Sequence, residues 1–397
     1  MIQREHYLRQ IRPFYDSDLV KIITGIRRCG KSVIMRQISE EISEHTDNII
    51  YLEFENRHTR KLIPDVDALL DYISEHRTAG KCYIFLDEVQ ELENWQDACR
   101  TLRLEENSVF VTGSNSRLLS KEFTKELSGR FVSFRIRPFV YKELSAYANE
   151  LGKTVSVTDY LVWGGFPKRL EFEEDAMLVY LEDLDETIIL NDIINRYKIK
   201  KEALFRSIAN FVLLSNSRVI SPNAITAFIK SNNEKCSANT VKAYIDHLET
   251  AFAIDLIKPY STRTKQELAY KYKVYDADVS LNSLRNTTRR YDLDHNLENI
   301  VYNELLYMGY TLRVYNNNGR EIDFLAQKNN MKYYIQVAYS VQDDKAYRRE
   351  FSAFEDLDNL CGKILITNDE LDYSTPTVRH LRLKDFLLME ELPSAVR

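Results

Sequence analysis

The sequence predicts an α/β protein: a parallel sheet with helices on both faces, then a helical module, then a smaller α/β module. Up to about residue 150, apolar runs of strand length alternate with stretches of helical periodicity, as in sheets built from crossover units. Longer helical stretches follow, and a second strand-rich segment ends the chain. At 397 residues the chain also exceeds the roughly 250 residues at which single cores stop growing.

The first module shows a regular order of predicted elements. Apolar runs predict strands at Leu19–Ile23, Ile49–Phe54, Tyr83–Leu86, Val109–Thr112 and Phe131–Ile136. Helical spacing predicts helices at Ser32–Ile42, Val66–His76 and Trp95–Arg103. Strands that alternate with helices in this way favour a mainly parallel arrangement.

Charge and cysteine content argue against some classes of protein, although charge does not exclude nucleic-acid binding by a local basic face. A net charge of -6 argues against a chain coated in basic residues for indiscriminate nucleic-acid binding. The 5 cysteines are scattered without a CxxC pair, so neither a disulfide framework nor a thiolate zinc site is expected. The sequence also shows no secretory leader and no apolar run of membrane-spanning length. We therefore expect a cytoplasmic protein that has no membrane partner.

A phosphate-binding motif lies between the first predicted strand and the helix after it. GIRRCGKS fits the pattern GxxxxGK[ST], whose backbone N–H groups wrap phosphates at a helix N-terminus. We expect Lys31 to reach the β- and γ-phosphates and the Ser32 hydroxyl to bind Mg²⁺. ATP with Mg²⁺ is the expected ligand pair, although nothing in the motif separates ATP from GTP. The candidate nucleotide-binding residues are Gly25, Ile26, Arg27, Arg28, Cys29, Gly30, Lys31, Ser32 and Val33.

Paired carboxylates end the third predicted strand, Tyr83–Leu86. A buried strand of a parallel sheet delivers such acids to the edge where the phosphate loop lies. Asp87 is expected to help hold Mg²⁺, and Glu88 to act as the general base that polarises the attacking water. A solvated acid at a strand end is the alternative reading of Glu88.

Two further candidates lie near the next strands. Ser114 and Asn115 follow the strand Val109–Thr112 and would project beside the γ-phosphate, or else be ordinary turn residues. Arg130 precedes the strand Phe131–Ile136. It is expected to sense the γ-phosphate in its own chain or to serve a neighbouring subunit as an arginine finger, with a surface salt bridge as the alternative.

The pattern of elements changes after the first module. Helices are predicted at Ala176–Asn195 and Lys201–Leu214, and a winged helix-turn-helix from Pro222–Lys230, Ser237–Ala253 and two extended stretches, Ile254–Tyr260 and Tyr270–Tyr275. The last module is predicted to contain helices His295–Met308 and Lys345–Leu357 with strands Thr311–Tyr315, Glu321–Gln327, Lys332–Ala338 and Lys363–Thr367. The expected domains are 1–155, 156–280 and 281–397.

Six segments together resemble a known family: GIRRCGKS, YIFLDEVQ, VTGSNSRLLS, LSGR, PFVYKEL and YLVWGGFP. The chain resembles prokaryotic AAA-like ATPases that carry a C-terminal domain of unknown function related to restriction endonucleases, and the likeness covers essentially the whole chain. It implies a core in which the phosphate-loop strand lies beside the sensor strand, then a winged-helix segment and a nuclease-like domain. The sensor role of Asn115 and the importance of Arg130 come mainly from this likeness.

The nuclease-like module departs from the pattern of active enzymes. Those hold a metal with an acid on the first helix, an Asp on a strand and a (D/E)xK pair on the next strand. Glu304 and Asp323 match the first two positions, but Gln336 and Ala338 stand where the carboxylate and lysine belong. We therefore expect an inactive remnant with a structural or binding role.

DNA contact by the winged helix is left open. Its second helix has a mixed polar face, whereas the wing is more basic and includes tyrosines. The helix residues are Asn239, Lys242, Asp246, His247 and Glu249. The wing residues are Lys258, Tyr260, Arg263, Lys265, Tyr270, Lys271, Tyr272 and Lys273. A domain-packing or protein-contact role is the alternative.

The expected function is a magnesium-dependent ATPase whose hydrolysis switches or drives its C-terminal modules. An ATP-regulated DNA-binding protein with little turnover is the alternative from another class. An ATP-gated endonuclease is a third, which Gln336 and Ala338 disfavour. A protein partner and oligomerisation through Arg130 are left open.

Overall fold

The computed structural model describes residues 2–114, 127, 129–231, 235–260, 271–286, 288, 290–317, 320–358 and 360–394. The chain divides into two compact units. One comprises residues 1–138 and 250–252, and the other comprises residues 139–249 and 253–397. In the part of the chain so described, no helix is both long and apolar enough to cross a membrane.

A 5-stranded parallel sheet forms the centre of the first unit. Its strands are β1 (Val20–Thr24), β2 (Ile49–Glu53), β3 (Tyr83–Asp87), β4 (Ser108–Gly113) and β5 (Phe131–Arg135). The spatial order is β2-β3-β4-β1-β5. Strand β1 therefore adjoins β4, as the resemblance implied, and the predicted α/β fold with a P-loop sheet is confirmed.

Helices flank this sheet. They are α1 (Glu5–Ile11), α2 (Lys31–Ser43), α3 (Arg57–Leu62), α4 (Val66–His76) and α5 (Trp95–Leu104). Alternate residues of the strands, such as Ile84 and Leu86, join one apolar cluster with Leu69 of α4 and Leu102 of α5. The central strands β1, β3 and β4 are buried on both faces, which explains why they read in the sequence as apolar runs, whereas β2 and β5 are only partly buried.

The second unit begins with helices and a small sheet. The helices are α6 (Tyr141–Glu150), α7 (Val157–Trp163), α8 (Glu174–Thr187), α9 (Glu202–Leu214), α10 (Pro222–Ser231) and α11 (Ala238–Thr250). A π-helix, Ile188–Asn195, continues α8. The following strands are β6 (Val219–Ile220), β7 (Ile254–Ile257), β8 (Pro259–Tyr260) and β9 (Tyr272–Asp276), of which β6, β9 and β7 pair antiparallel in that order. The winged-helix assignment of this region stays a prediction.

A 6-stranded mixed sheet completes the second unit. Its order is β14-β13-β12-β11-β10-β8. The remaining elements are α12 (Ser280–Ser283), α13 (Leu293–Tyr307), β10 (Thr311–Asn317), β11 (Arg320–Lys328), β12 (Met331–Ala338), α14 (Asp344–Ser352), β13 (Gly362–Thr367), β14 (Arg379–Arg382) and α15 (Leu383–Phe386). The three-domain division and the endonuclease-like relationship stay predictions.

Candidate functional site

The phosphate loop connects β1 to α2 at the carboxyl edge of the sheet. Gly25 has φ 147°, and a Cβ there would lie 2.1 Å from the carbonyl oxygen of Ile136. Gly30 has φ 102° and directly precedes the first residue of α2. Both positions therefore need glycine, one for space and conformation and the other for conformation. This explains physically why the motif has glycine at its first and sixth positions.

Lys31 lies folded over the loop. Its side chain is nearly buried, and Nζ donates to the carbonyl oxygens of Gly25 and Ile26 at 3.2 and 3.3 Å. Nζ also lies 3.6 Å from Oε1 of Glu88. These are long contacts for an ammonium group in a nearly dry position. Phosphate oxygens would be stronger partners for this cation than two neutral carbonyls.

Asp87 ends β3 beside the first turn of α2. Its carboxylate accepts hydrogen bonds from the hydroxyls of Thr112 and Ser32. Burial raises the pKa of Asp87, while these two hydrogen bonds oppose the rise. The structure thus places Asp87 and Ser32, the two predicted Mg²⁺ ligands, in contact.

Thr112 is a site residue that the sequence analysis missed. It lies on β4, and its hydroxyl oxygen also accepts the backbone N–H of Glu88 at 2.9 Å. One side chain therefore positions both predicted acids. A polar residue directly after the buried apolar run Val109, Phe110 and Val111 was the signal that could have identified it.

Glu88 adopts a left-handed backbone conformation with φ 51°, and its side chain is 18% exposed. Such a conformation is uncommon for a residue other than glycine and occurs often in active sites. The Nε2 of Gln90 donates to Oε2 of Glu88 at 2.6 Å. Gln90 is thus a second residue that the sequence analysis missed, and it fixes the orientation of the predicted base.

Three buried polar atoms around the loop have no hydrogen-bond partner within the described ranges. They are Oγ1 of Thr24, Oε1 of Gln90 and Oγ of Ser114. Thr24 pairs in register with Gly113, so Thr24 and Ser114 lie at the same edge of the sheet. Buried polar groups are costly when unsatisfied. Oxygen atoms of this kind suit a hydrated Mg²⁺ ion and a phosphate group.

The other residues of the loop either pack inside the protein or lie at its surface. Arg27 forms a 3.6 Å ion pair with the exposed Glu55. Cys29 is fully buried, and its Sγ donates to the carbonyl oxygen of Ile136 at 3.3 Å. Burial raises the pKa of Cys29. Its thiol is therefore a neutral packing group. Ile26 is also buried, whereas Arg28 is exposed.

Arg4, the residue before α1, stabilises the phosphate loop through hydrogen bonds of its guanidinium group. Arg4 is 1% exposed, and its Nη1 and Nη2 donate to the carbonyl oxygens of Cys29 and Arg137 at 2.9 and 3.0 Å. The backbone N–H of Arg4 donates to Gln37 on α2. A fixed loop loses less entropy when it binds a ligand. No sequence motif indicated this role.

Arg130 lies at the edge of the sheet opposite the phosphate loop. Its carbonyl oxygen accepts the backbone N–H of Val20, the first residue of β1, whereas the loop follows the last residue, Thr24. A five-residue strand is about 15 Å long. The expected contact of Arg130 with a γ-phosphate in its own chain does not fit this position. A role in a neighbouring copy stays a prediction, and Asn115 lies outside the described residues.

The nuclease-like residues form a second polar cluster. Oδ2 of Asp323 accepts the backbone N–H of Val337 at 3.0 Å, and Oε1 of Gln336 accepts the backbone N–H of Asp323. The Nε2 of Gln336 donates to Glu350 at 2.8 Å. Ala338 pairs with a residue of β13 and packs in an apolar cluster. Asp323 and Gln336 are therefore together, and Ala338 contributes no polar group.

Glu304 does not join this cluster, which corrects its assignment as the helix acid. Its Oε1 accepts the backbone N–H of Tyr141 at 2.9 Å and the hydroxyl of Tyr160 at 3.2 Å. Burial raises the pKa of Glu304 to about 8. Tyr141 begins α6, so Glu304 satisfies one of the free N–H groups of that helix. Glu298, on the same helix, is the acid that lies near Asp323.

Not all basic residues of the predicted wing are exposed in the structure. Lys258 and Lys271 are exposed, but Lys273 is buried and turned towards acids of the second unit. Arg263, Lys265 and Tyr270 lie outside the described residues. The described part of the wing therefore offers fewer cations to a nucleic acid than the sequence suggested.

Family models match three successive segments. Residues 17–145 match the AAA domain. Residues 154–290 match a Domain of unknown function (DUF8612), and residues 294–386 match a Domain of unknown function (DUF4143). An uncharacterized protein of Haemophilus influenzae is 32% identical over 354 residues, which are 87% of this chain and 88% of that protein. This chain belongs to the same family.

A second relative has a similar extent. An uncharacterized protein of Methanocaldococcus jannaschii is 29% identical over 377 residues, which cover 88% of this chain and 82% of that protein. A solved structure, the Walker-type ATPase of Pyrococcus abyssi, aligns with 72% of this chain and 96% of its own at 15% identity, with a TM-score of 0.49. That likeness is too weak to transfer a function. The AAA match over residues 17–145 and the parallel sheet together show that the first module of this family member has the P-loop NTPase fold.

Proposed function

We propose that this protein binds ATP with Mg²⁺ at the phosphate loop and hydrolyses it. The observation that supports this best is the meeting of three groups at one sheet edge. A nearly buried ammonium on Lys31, a carboxylate on Asp87 held by Ser32, and a second carboxylate on Glu88 surround buried hydroxyls that have no partner in the described chain. A polar site of this kind is completed by a phosphate group and its cation.

Binding begins with an exchange of partners by Lys31. Its ammonium leaves the carbonyl oxygens of Gly25 and Ile26 and takes phosphate oxygens, which are charged and form stronger hydrogen bonds. The backbone N–H groups of the loop and the first turn of α2 add partial positive charge at the same place. Loop geometry that is already fixed by Arg4 lowers the cost of ordering it.

Ser32 and Asp87 would hold the magnesium ion. The ion, when bound, supplies positive charge that neutralises the phosphate oxygens. Thr112 donates to Asp87, so the carboxylate keeps its direction when the Ser32 hydroxyl turns towards the ion. The hydroxyls of Thr24 and Ser114 are placed to bind phosphate oxygens or ordered water.

Glu88 is the proposed general base. Its carboxylate takes a proton from water while the water oxygen forms a bond to the γ-phosphorus. The bond between the γ-phosphorus and the bridging oxygen breaks, and the electron pair stays on ADP. Gln90 holds Oε2 of Glu88, and we propose that Oε1, which now lies 3.6 Å from Nζ of Lys31, faces the water once Lys31 has turned to the phosphates.

The C-terminal modules are the proposed recipients of this cycle. In this proposal the winged-helix and nuclease-like modules respond to the nucleotide state. DNA and a protein partner are the two candidates for what these modules bind. The inward position of Lys273 weakens the DNA alternative without removing the exposed Lys258 and Lys271.

The test is phosphate release by the full chain with Mg-ATP. We expect Lys31→Ala to lose nucleotide binding and turnover, because the cation for the phosphates is gone. Glu88→Gln should keep binding and lower kcat by about 10²- to 10⁴-fold, the usual contribution of a general base. Lys61→Ala, an exposed change in α3, is the matched control and should behave like the wild type. Unchanged turnover in Glu88→Gln would contradict the base assignment.

Two extensions of the assay separate the remaining alternatives. Mg-GTP in place of Mg-ATP shows which base is preferred. Adding DNA over a range of salt concentrations shows whether turnover is stimulated and whether binding weakens with salt. Tight nucleotide binding without turnover would instead support the ATP-regulated binding protein.

A further inference from the structure

A turn in the second unit carries a concentration of positive charge. Between Asp192 and Glu202 the sequence contains four cations and no acid. The cations are Arg196, Lys198, Lys200 and Lys201. The three lysines are exposed, and Arg196 is half-buried. In a chain with a net charge of -6, such a local excess of positive charge indicates a surface suited to an anionic partner.

The backbone of this turn is held in place. The turn follows the π-helix Ile188–Asn195 and precedes α9. The backbone N–H of Ile199 donates to the carbonyl oxygen of Ile194 at 3.0 Å, and Lys198 has a left-handed conformation with φ 50°. Because the side chain of Ile199 is buried while its two neighbours are exposed, the turn presents Lys198 and Lys200 to solvent. A fixed backbone lowers the entropy cost of binding a partner.

The lysines of the turn do not neutralise acids of their own unit. Within the described ranges, no carboxylate forms an ion pair with any of the three. Arg206 on α9 is different, because its guanidinium donates to both carboxylate oxygens of Glu186 at 2.7 and 2.6 Å. The buried Nη1 of Arg196 also has no hydrogen-bond partner in that part of the chain. The cations of the turn therefore lose no ion pair of the described protein when they contact an external anion.

Two aromatic rings adjoin the turn. Tyr197 stacks on His247 of α11, with ring centroids 3.8 Å apart and ring planes 15° from parallel. Both side chains are half-buried. Phe205 of α9 packs on Tyr244 of α11 with ring centroids 5.2 Å apart, which fixes α11 beside the start of α9. Flat rings next to cations are typical of surfaces on which unpaired bases stack.

This combination fits a single strand of nucleic acid better than an acidic peptide or an anionic membrane. A strand supplies one phosphate and one flat base with every nucleotide, whereas the other two partners supply charge without a regular series of rings. The four cations outnumber Glu202 and Asp246, the exposed acids that follow the turn and precede His247 in the sequence. The remaining positive charge favours a partner with a high density of negative charge.

We propose that residues 196–201 and His247 bind a single strand of nucleic acid. The four cations contact its phosphates, and the stacked rings of Tyr197 and His247 support one base. The proposal names the partner and the surface for the proposed response of the C-terminal modules, and it rests on that part of the proposed function. Binding itself requires no ATP, so it is measured on nucleotide-free protein.

The first test measures binding of the full chain to a fluorescent, unstructured DNA strand of about 16 nucleotides by anisotropy, at several salt concentrations. With four phosphate contacts, log K should fall with log salt with a slope of about -3. The triple variant Lys198→Ala, Lys200→Ala, Lys201→Ala should bind at least about tenfold more weakly, with the slope reduced by about 2. The charge-matched control is Lys332→Ala, Lys345→Ala, Lys384→Ala, three exposed lysines elsewhere in the second unit, and it should bind like the wild type.

The second test separates stacking from charge. Tyr197→Leu should weaken binding of the strand by about tenfold without changing the salt slope, because a ring is lost and no cation is. Tyr197→Phe keeps the ring and should bind like the wild type. With a duplex of the same sequence the difference between Tyr197→Leu and the wild type should vanish, since paired bases are not available to the ring.

Three results would overturn the proposal. The first is a wild-type protein that does not bind the strand at low salt. The second is an equal loss of binding in the two triple variants, which would show an effect of net charge alone. The third is displacement of the strand by poly-glutamate as effective as by unlabelled DNA, which would identify a site for acidic peptides. ATP hydrolysis measured without DNA should be the same in the wild type and both triple variants, so failure of the proposed ATPase activity is seen separately.

Discussion

Three lysines show how the surroundings decide what one side chain does. Lys21 is fully buried and has neutral partners, Lys31 leans on backbone carbonyls at the phosphate loop, and Lys273 is enclosed by carboxylates. Burial lowers the pKa of Lys21, whereas the acids around Lys273 raise its pKa in spite of burial. At the scale of single residues, the local partners therefore separate a titrating, a ligand-binding and a structural lysine.

Lys21 predicts a pH dependence of stability in the first unit. Its Nζ donates to Oγ of Ser108 at 2.8 Å and lies 4.5 Å from the centre of the Phe110 ring. Burial lowers the pKa of Lys21 to about 7. Above that pH the unfolded chain binds more protons than the folded one, up to its ordinary pKa of about 10.4. The free energy of unfolding should therefore rise with pH in this window, by at most about 1.4 kcal/mol per unit.

Urea unfolding between about pH 6.5 and 9.5 measures this slope. Lys21→Met should flatten the dependence, whereas the exposed control Lys61→Met should keep it. The same slope in the wild type and in Lys21→Met would show that another group titrates.

Gln90 predicts a graded loss of activity. Because its amide fixes the Glu88 carboxylate, Gln90→Ala should leave ATP binding intact and lower kcat by about tenfold, less than Glu88→Gln does. Single-turnover hydrolysis and equilibrium nucleotide binding measure the two effects. Gln10→Ala, at an exposed position in α1, is the matched control. Equal kcat values in Gln90→Ala and the wild type would rule out the positioning role.

At the scale of elements, the order of strands brings the site together. Strands β1, β4 and β3 are consecutive neighbours and parallel, so their carboxyl ends meet at one edge. The phosphate loop follows β1, Thr112 lies near the end of β4, and Asp87 ends β3. The position of Arg130 follows from the same rule, because a residue that precedes a parallel strand lies at the other edge.

Two glycines allow the cost of a steric clash to be distinguished from the cost of a left-handed backbone conformation. Gly25 and Gly80 both have positive φ, but a Cβ at Gly25 meets Ile136 at 2.1 Å, whereas one at Gly80 has open space. Gly80→Ala should cost about 1–2 kcal/mol of backbone strain. Gly25→Ala should cost more and abolish ATP binding. Urea unfolding and nucleotide binding measure both variants, and equal costs would refute the steric argument.

The sequence predicts the strands of the first unit within one or two residues, and for the central strands the reason is that burial on both faces requires an apolar run. It fails for β14, whose residues Arg379–Arg382 include two arginines, and for β6, which has 2 residues. It also fails to separate Glu298 from Glu304. Both are buried on α13, about one and two-thirds turns apart, and only the tertiary packing shows which one faces Asp323.

The predicted loop residues Lys31 and Ser32 lie where the motif places them, since local backbone geometry alone positions a phosphate loop. Arg4 and Gln90, which support the site from elsewhere, had no spacing rule that could identify them, and Thr112 was marked only by its polarity in a buried strand. Their roles depend on contacts between segments distant in sequence or on side-chain rotamers.

At the scale of the whole molecule, the matched family models end near the predicted domain limits, but the described residues divide into two units. The three-domain division therefore stays a prediction. Arg130 is exposed at the sheet edge away from its own phosphate loop. If Arg130 is an arginine finger, its predicted target is therefore the phosphate loop of a neighbouring copy.

A mixture of two inactive variants tests whether Arg130 acts on the phosphate loop of a neighbouring copy. Lys31→Ala keeps Arg130, and Arg130→Ala keeps the phosphate loop. If Arg130 acts in a neighbouring copy, the mixture should recover part of the ATPase activity that each variant lacks alone, because mixed assemblies contain complete sites. The specific activity of the wild type should also rise with protein concentration. A mixture no more active than its two components would exclude the finger.

The hydrogen bond between Tyr141 and Glu304 has a consequence for synthesis of the chain. The two residues are 163 positions apart. Ribosomes add about 5–20 residues per second, so α6 leaves the ribosome about 10–30 s before the carboxylate that accepts its first N–H. During that interval the N–H of Tyr141 is without Glu304, and water is its available partner. The first N–H of α6 therefore gains its partner in the folded protein only after α13 has been synthesised.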